Sequence, residues 1–247
     1  MTDPLLLSVV IPAYNEEENL RVHAPRILEA LRRHAPGFEV LVVDDGSTDE
    51  SAAVAESLAA AEPRVRVLRH GENRGPGSGV FTGIAAARGE FVMFLPADVA
   101  IDLEQLPRYI EAARGADVVV GIRSDRRDYT LFRKFVSVVN IALIRFLFRM
   151  RERQFNYVHL YRRRIFDHFT VDSRGVFITA EILIRARDCG FRLTEVEIAY
   201  VPREFGTATC GRVRVIARTV RDLIRFWILR TFLRGRYRAS FKRKVSA

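Results

Sequence analysis

Three apolar runs in the first hundred residues each break into an acidic turn, and their spacing constrains the fold more than any other feature of the chain. They read Ser8-Val-Val-Ile-Pro-Ala-Tyr-Asn-Glu16, Val40-Leu-Val-Val-Asp44-Asp45-Gly46 and Phe91-Val-Met-Phe-Leu-Pro96-Ala-Asp98. Helical patterns at βαβ spacing lie between them, so the runs predict parallel strands of one sheet. In an open α/β sheet such strand ends share one edge, and ligands bind there. Here the edge gathers carboxylates, groups that accept hydrogen bonds from the base and ribose of a nucleotide.

The rest of the first half follows the same alternation. Strands are expected over 5–11, 39–43, 64–68, 91–95 and 117–120, and helices over 19–35, 50–61, 79–88 and 103–114. Ser47-Thr-Asp-Glu50 has the pattern of a capping box for the second helix. Past Gly121 the rhythm changes. A long apolar and basic helix is expected over 130–150, the stretch 155–169 is ambiguous, a helix covers 180–189, a half-buried strand 191–198 and a loop 200–211, before a final amphipathic helix. The fold class is α/β, a mostly parallel nucleotide-binding sheet flanked by helices, with C-terminal amphipathic helices.

At 247 residues and 49% hydrophobic content the chain buries one substantial core. Cys189 and Cys210 form no Cys-x-x-Cys pair and join no Cys/His cluster, which excludes a disulfide framework or zinc site and fits a reducing cytoplasm. Neither a signal peptide nor a membrane span is expected, because no basic start precedes an apolar run and no uncharged apolar stretch reaches about 18 residues. The net charge of +10 is unevenly spread: residues 1–120 hold 11 Arg and Lys against 19 Asp and Glu, and residues 121–247 hold 29 against 11. Such asymmetry points to a polyanionic surface, nucleic acid or anionic membrane. No aromatic-basic RNA motif or recognition helix is present, which sets nucleic acid aside.

Ile11-Pro-Ala-Tyr-Asn-Glu-Glu, Val42-Val-Asp-Asp-Gly-Ser-Thr-Asp and Asn73-Arg-Gly-Pro-Gly-Ser-Gly at these spacings resemble family 2 glycosyltransferases of the GT-A fold, over roughly residues 5–210. Within that family, Gly121-Ile-Arg123, Glu181, Glu195-Val-Glu-Ile and Arg203-Glu-Phe-Gly206 look most like polyprenyl-phosphate (dolichyl-phosphate) mannose or glucose synthases. The resemblance implies inverting transfer of a single sugar from a nucleotide-sugar, GDP-mannose or a UDP-hexose, to polyprenyl phosphate. It divides the chain into a GT-A domain, 1–211, with a donor half (1–120) and an acceptor half (121–211), and a basic membrane-associating helix and tail, 212–247.

By the same resemblance Pro12, Tyr14, Glu16, Val43, Asp44, Asp45, Gly75, Ala97 and Asp98 line the donor pocket. Pro12 and Tyr14 would shape a loop against the base, and Glu16 and Asp44 would accept hydrogen bonds from base or ribose. Read without the family, Glu16 belongs to a solvated acidic helix start and Asp44 is a turn residue before Gly46. Gly75, Gly77 and Gly79 permit a close backbone approach or an anion nest, or else form a flexible entry to a helix. All five histidines read as structural or surface residues.

The third acidic turn departs from the family pattern. These synthases usually carry Asp-x-Asp at the end of strand four, and here the positions read Pro96-Ala97-Asp98. Asp98 is left as the metal ligand, and a hard cation (Mg²⁺ or Mn²⁺) binds through one carboxylate only with help from substrate phosphates and water. The alternatives are that Arg123, Arg203 and Arg212 neutralise the leaving diphosphate, or that the transferase is inactive. Glu181 is a general base if the acceptor is a hydroxyl, as in a glycolipid or polysaccharide, and otherwise an orienting residue. With Asp98, Arg123 and Arg203 it completes the candidate catalytic set.

Two segments bear on the acceptor. In 213–233 apolar residues including Val220, Ile224, Trp227 and Ile228 interleave with Arg214, Arg218, Arg221 and Arg225, a basic stripe on an amphipathic helix. In 130–150 Phe132, Phe135 and Phe146 lie beside Arg133, Lys134, Arg145 and Arg149. The expectation is a cytoplasmic protein held peripherally at the inner face of an anionic membrane, its homo-oligomeric state left open.

Overall fold

The computed structural model describes residues 6–35, 37–99, 101–125, 130–201, 205 and 213–241. Alternation of strand and helix opens the chain: β1 (Leu7–Ala13), α1 (Glu17–His34), β2 (Phe38–Asp44), α2 (Ser51–Ala61), β3 (Val65–Arg69), α3 (Pro76–Ala86), β4 (Phe91–Phe94), α4 (Leu106–Ala113) and β5 (Val118–Arg123). There follow α5 (Leu131–Phe148), β6 (His159–Arg162), α6 (Ile178–Asp188), β7 (Leu193–Ile198), α7 (Val213–Thr231) and α8 (Arg234–Ala239). The expected helix over 103–114 begins as a 3₁₀ turn, Leu103–Gln105, capped by the Asp102 side chain.

The seven strands pair in the order β3-β2-β1-β4-β6-β5-β7. All pairings are parallel except those of β6, which runs antiparallel to both β4 and β5. The ambiguous stretch 155–169 thus resolves into this four-residue strand and a 3₁₀ turn, Arg163–Asp167. Neither piece is long enough to display a period. From β1 the chain moves outward to β2 and β3, then returns to β4 on the other side of β1, which places the switch point at β1 and β4.

Side chains alternate across the sheet and divide the core into two layers. Leu7, Val9 and Ile11 pack with Leu20 and Ile27 of α1 and Tyr109 of α4. Val10, Leu41 and Val43 face the opposite layer, with α3, α5 and α6. Leu223, Phe226 and Tyr237 of the C-terminal helices are buried in that same layer. Helix α3 lies almost on β1 because its inward positions are glycines: a Cβ at Gly83 would stand 2.1 Å from Val10 Cγ1, and one at Gly79 would stand 3.0 Å from Pro12 Cβ.

The capping box does not form. Glu50 precedes α2 with no side-chain cap, and the Ser51 amide donates instead to Asp49 Oδ1 at 3.0 Å. The hydroxyls of Ser47 and Ser51 are taken by the first acidic turn, accepting from the amides of Asn15 (3.0 Å) and Glu16 (2.8 Å).

Candidate active site at the sheet edge

The first two acidic turns are built as one unit. Asn15 adopts φ +55°, and its Oδ1 accepts from the amide of Thr48 at 2.9 Å. The Asp45 amide donates to the Ala13 carbonyl at 2.8 Å. Burial pushes the Asp49 carboxyl up, but hydrogen bonds from Ser51 and the Glu17 amide outweigh it and hold the group below the usual carboxylate range. Glu16 is half-buried and accepts from Asn19 Nδ2 at 2.6 Å, while Tyr14 stands exposed at the rim. Register places Ala13 beside Asp44 at the shared strand end.

Asp44 and Asp45 are both buried, with different partners. Asp44 Oδ1 accepts from the Ser47 amide at 3.1 Å, closing the turn, and Oδ2 lies 3.7 Å from Arg69 Nε. Asp45 holds the loop before α3: Oδ1 accepts from the Arg74 amide (3.1 Å) and lies 2.6 Å from His70 Nδ1, and Oδ2 accepts from the Gly75 amide (2.8 Å). His70 continues to Thr82 Oγ1 at 2.8 Å. Asp45, expected as a donor contact, is committed to holding the loop before α3.

The glycines where that loop enters α3 are required by geometry. Gly75 has φ +90°, a left-handed conformation open to glycine. A Cβ on Gly77 would stand 2.6 Å from the backbone of Arg174, whose carbonyl accepts the Gly77 amide at 3.0 Å. A cleft of about 330 Å³ opens beside this contact, between His70, Arg74 and Thr82 on one side and Val171, Asp172 and Arg174 on the other.

The side chains of Val43 and Ala97 are buried in the two core layers, Val43 with Val10 and Leu41 and Ala97 in the opposite layer, so only their backbone is available at the sheet edge. Pro12 lies under Gly79, one layer below the rim.

Asp98 is buried after β4 in a turn closed by the Val99 amide donating to the Pro96 carbonyl at 3.0 Å. Val99 has φ +42°, a left-handed conformation that a β-branched residue adopts at a cost of order 1–3 kcal/mol. Among the described residues no three His, Cys, Asp or Glu side chains gather as a metal-binding group. Asp98 would hold a cation only with oxygens supplied by a ligand.

Arg123, at the end of β5, is buried with its guanidinium 3.2 Å above the Tyr200 ring. Its Nε donates to the Asp125 carbonyl, and Gln154 brackets its backbone, accepting the amide (3.1 Å) and donating to the carbonyl (3.0 Å). Arg203 and Arg212 lie outside the described residues.

Glu181 is fully buried on the first turn of α6. Oε1 accepts from Arg185 Nε (2.6 Å) and the Asp172 amide (3.0 Å), and Oε2 accepts from the Ser173 amide (2.9 Å). Neither carboxylate oxygen reaches solvent, and both are engaged, which matches the orienting role expected of Glu181 with a phosphate acceptor better than the role of a general base. The carboxylate orients the loop that meets Gly77. Arg185, Gln154 and His70, which complete these arrangements, carry no signal in the sequence, since none lies in a motif.

Residues 8–173 match the family described as Glycosyl transferase family 2. The chain is 34% identical over 214 residues to the undecaprenyl-phosphate 4-deoxy-4-formamido-L-arabinose transferase of Pectobacterium carotovorum subsp. carotovorum (strain PC1), which covers 85% of this chain and 64% of that protein. The protein of the same name from Proteus mirabilis (strain HI4320) is 32% identical over 213 residues, with the same coverage. The chain therefore spans about 64% of the length of these relatives. In three dimensions it is similar to glucosyl-3-phosphoglycerate synthase from Mycobacterium tuberculosis in complex with Mn²⁺, uridine diphosphate and phosphoglyceric acid, with a TM-score of 0.69 and 17% identity, covering 91% of this chain and 78% of that one. The mixed α/β sheet is the GT-A architecture, and the chain belongs to glycosyl transferase family 2.

Proposed function

We propose that this protein is an inverting transferase that moves one sugar from a nucleotide-sugar to the phosphate of a polyprenyl lipid. The observation that carries the reading is the 34% identity over 214 residues to undecaprenyl-phosphate transferases. A match of that length runs through both halves of the fold and does not stop at the nucleotide-binding strands.

The site chemistry supports it. The clamped turns at Tyr14, Glu16 and Asp44 offer an exposed ring and carboxylates for base and ribose. The glycine wall at Gly75 and Gly77 permits close backbone approach. A phosphate acceptor is already anionic at neutral pH and attacks the anomeric carbon without a general base. The burial of Glu181 suits such an acceptor, because a hydroxyl would need a base that Glu181 is not placed to be.

Asp98 is the residue that would hold a divalent cation, Mg²⁺ or Mn²⁺, with the donor diphosphate supplying further oxygens. When bound, such an ion neutralises charge developing on the leaving group. Arg123 would supply fixed positive charge from the end of β5, which β6 separates from β4.

The acceptor brings the protein to a membrane surface. No helix among the described residues is long and apolar enough to cross a bilayer. Phe132, Phe135 and Phe146 of α5 and Ile224 and Ile228 of α7 are nevertheless exposed beside a series of arginines. This pattern supports peripheral attachment to the anionic inner face of the membrane.

Incubating the protein with labelled UDP- and GDP-sugars, polyprenyl phosphate vesicles and Mg²⁺ or Mn²⁺ should yield label in the organic phase with at least one donor. No sugar-lipid with any donor would sink the reading.

A further inference from the structure

A second cleft, of about 560 Å³, lies between the C-terminal ends of α5 and α7 and the start of α8. Arg149, Arg230, Arg234 and Arg238 line it beside Trp227. The one carboxylate of its lining, Asp188, is already saturated: it accepts from Arg230 Nε (2.6 Å), Arg187 Nη2 (2.7 Å) and the Tyr237 hydroxyl (2.7 Å). Burial pushes the Asp188 carboxyl up, but these donors hold it below its ordinary value, so it stays ionised and spent. Among the described residues no carboxylate pairs with Arg149, Arg234 or Arg238. Three guanidiniums therefore surround an open space with no carboxylate among the described residues paired to them.

The rim of this space is apolar. Phe146 is 81% exposed and Phe232 67% exposed, and the Trp227 and Phe232 rings meet edge to face at 5.4 Å. Cations within and exposed aromatics without match an amphiphile that carries a phosphate on an apolar chain. The site is separate from the sugar-transfer edge. Glu181, on the first turn of α6, faces that edge through the loop 171–175, whereas Asp188 ends the helix seven residues later, about 10 Å along its axis.

We propose that this cleft binds the phosphate of an anionic phospholipid, with Arg149, Arg234 and Arg238 around the headgroup and Phe146 and Phe232 against the acyl chains. It acts as a membrane anchor. The assignment is independent of the sugar-transfer reading, because its readout is binding and not turnover.

Trp227 is the single tryptophan of the chain and reports directly on the cleft. The full chain is titrated with phosphatidylcholine vesicles with and without phosphatidylglycerol, and Trp227 emission is followed. A saturable blue shift is expected only with phosphatidylglycerol. At about 1 kcal/mol per basic residue near an anionic surface, R234A/R238A should weaken binding about 30-fold and remove the shift. R88A/R108A removes equal charge from exposed positions outside the cleft and outside the basic faces of α5 and α7, and should leave the shift amplitude intact. Arg149→Gln repeats the test from α5 should the double variant fold poorly. Equal effects of the two double variants, or vesicle binding with Trp227 emission unchanged, would reduce the interaction to general surface charge and overturn the proposal. Reversal of the shift by millimolar inorganic phosphate would assign the cleft to free phosphate and overturn the lipid source.

Discussion

Glu181 and Arg185, one turn apart on α6, form an ion pair at 2.6 Å in which neither side chain is exposed. The pair does more than join two charges. Glu181 also receives the amides of Asp172 and Ser173, and Arg185 extends to Asp172 Oδ2 (2.9 Å) and Ser240 Oγ (2.5 Å). One buried pair thus ties the loop against Gly77 to the end of α8.

Removing one partner of a buried pair leaves the other charge uncompensated, at roughly 3–5 kcal/mol. Glu181→Gln should therefore lower unfolding free energy by about 3 kcal/mol in urea titration. Full stability with selective loss of turnover would contradict the structural role and restore Glu181 as a base.

Gly77→Ala tests the proposed wall of the donor pocket. The new Cβ meets the Arg174 backbone at 2.6 Å, and backbone cannot step aside as a flexible side chain can. Overpacking of this kind costs roughly 1–3 kcal/mol. Calorimetry should show weakened nucleotide binding together with a lower melting temperature; unchanged affinity would remove the loop from the donor site.

Asp98→Asn should abolish the stimulation of transfer by Mg²⁺ or Mn²⁺ while leaving the fold intact. Rates are compared with metal and with chelator. An unchanged metal-stimulated rate in the variant would mean that arginines carry the diphosphate charge.

His159 sets an acid limit on stability. The Gly121 amide donates to Nδ1 at 3.1 Å, so the ring proton sits on Nε2, facing the Phe155 carbonyl at 3.1 Å. Burial lowers the imidazole pKa from 6.5 to about 4. The unfolded chain then binds the extra proton first, so this stability is complete above pH 6.5, declines as pH falls and is lost once pH drops below about 4, a change of about 3 kcal/mol. Urea unfolding at pH 7.5, 5.5 and 4 should show the decline, and His159→Gln should flatten it. Glu62, held at about 2 by the Arg64 hydrogen bond, adds its own loss only below about pH 4.5.

Phe135→Glu on α5 tests attachment at a position 67% exposed. Losing one aromatic anchor and adding a negative charge should weaken sedimentation with anionic vesicles about tenfold or more. The melting temperature should barely move, because exposed substitutions rarely change stability by more than about 0.5 kcal/mol.

Much of the fold was legible because its signals are local. The βαβ rhythm and the acidic strand ends each lie in a run of ten residues or fewer, and the sheet has the mostly parallel order they imply. The stretch 155–169 was not legible, because a four-residue antiparallel strand takes its identity from neighbours β4 and β5. The capping box misled for a similar reason. Ser47 and Ser51 have suitable hydroxyls, but the turn 32 to 35 residues earlier claims them.

The amino-acid order alone determined which residues reach the sheet edge, since strand period and turn chemistry are set by neighbours in the chain. Only tertiary packing decided what each of them does there. Asp44 and Asp45 are adjacent and identical in type, yet one closes its own turn and the other holds the loop of α3, because Asp44 ends β2 while Asp45 lies just past it and meets the amides of Arg74 and Gly75. Glu181 passed from candidate base to buried anchor for the same reason: a carboxylate's chemistry depends on the donors and solvent around it, and those come from distant parts of the chain.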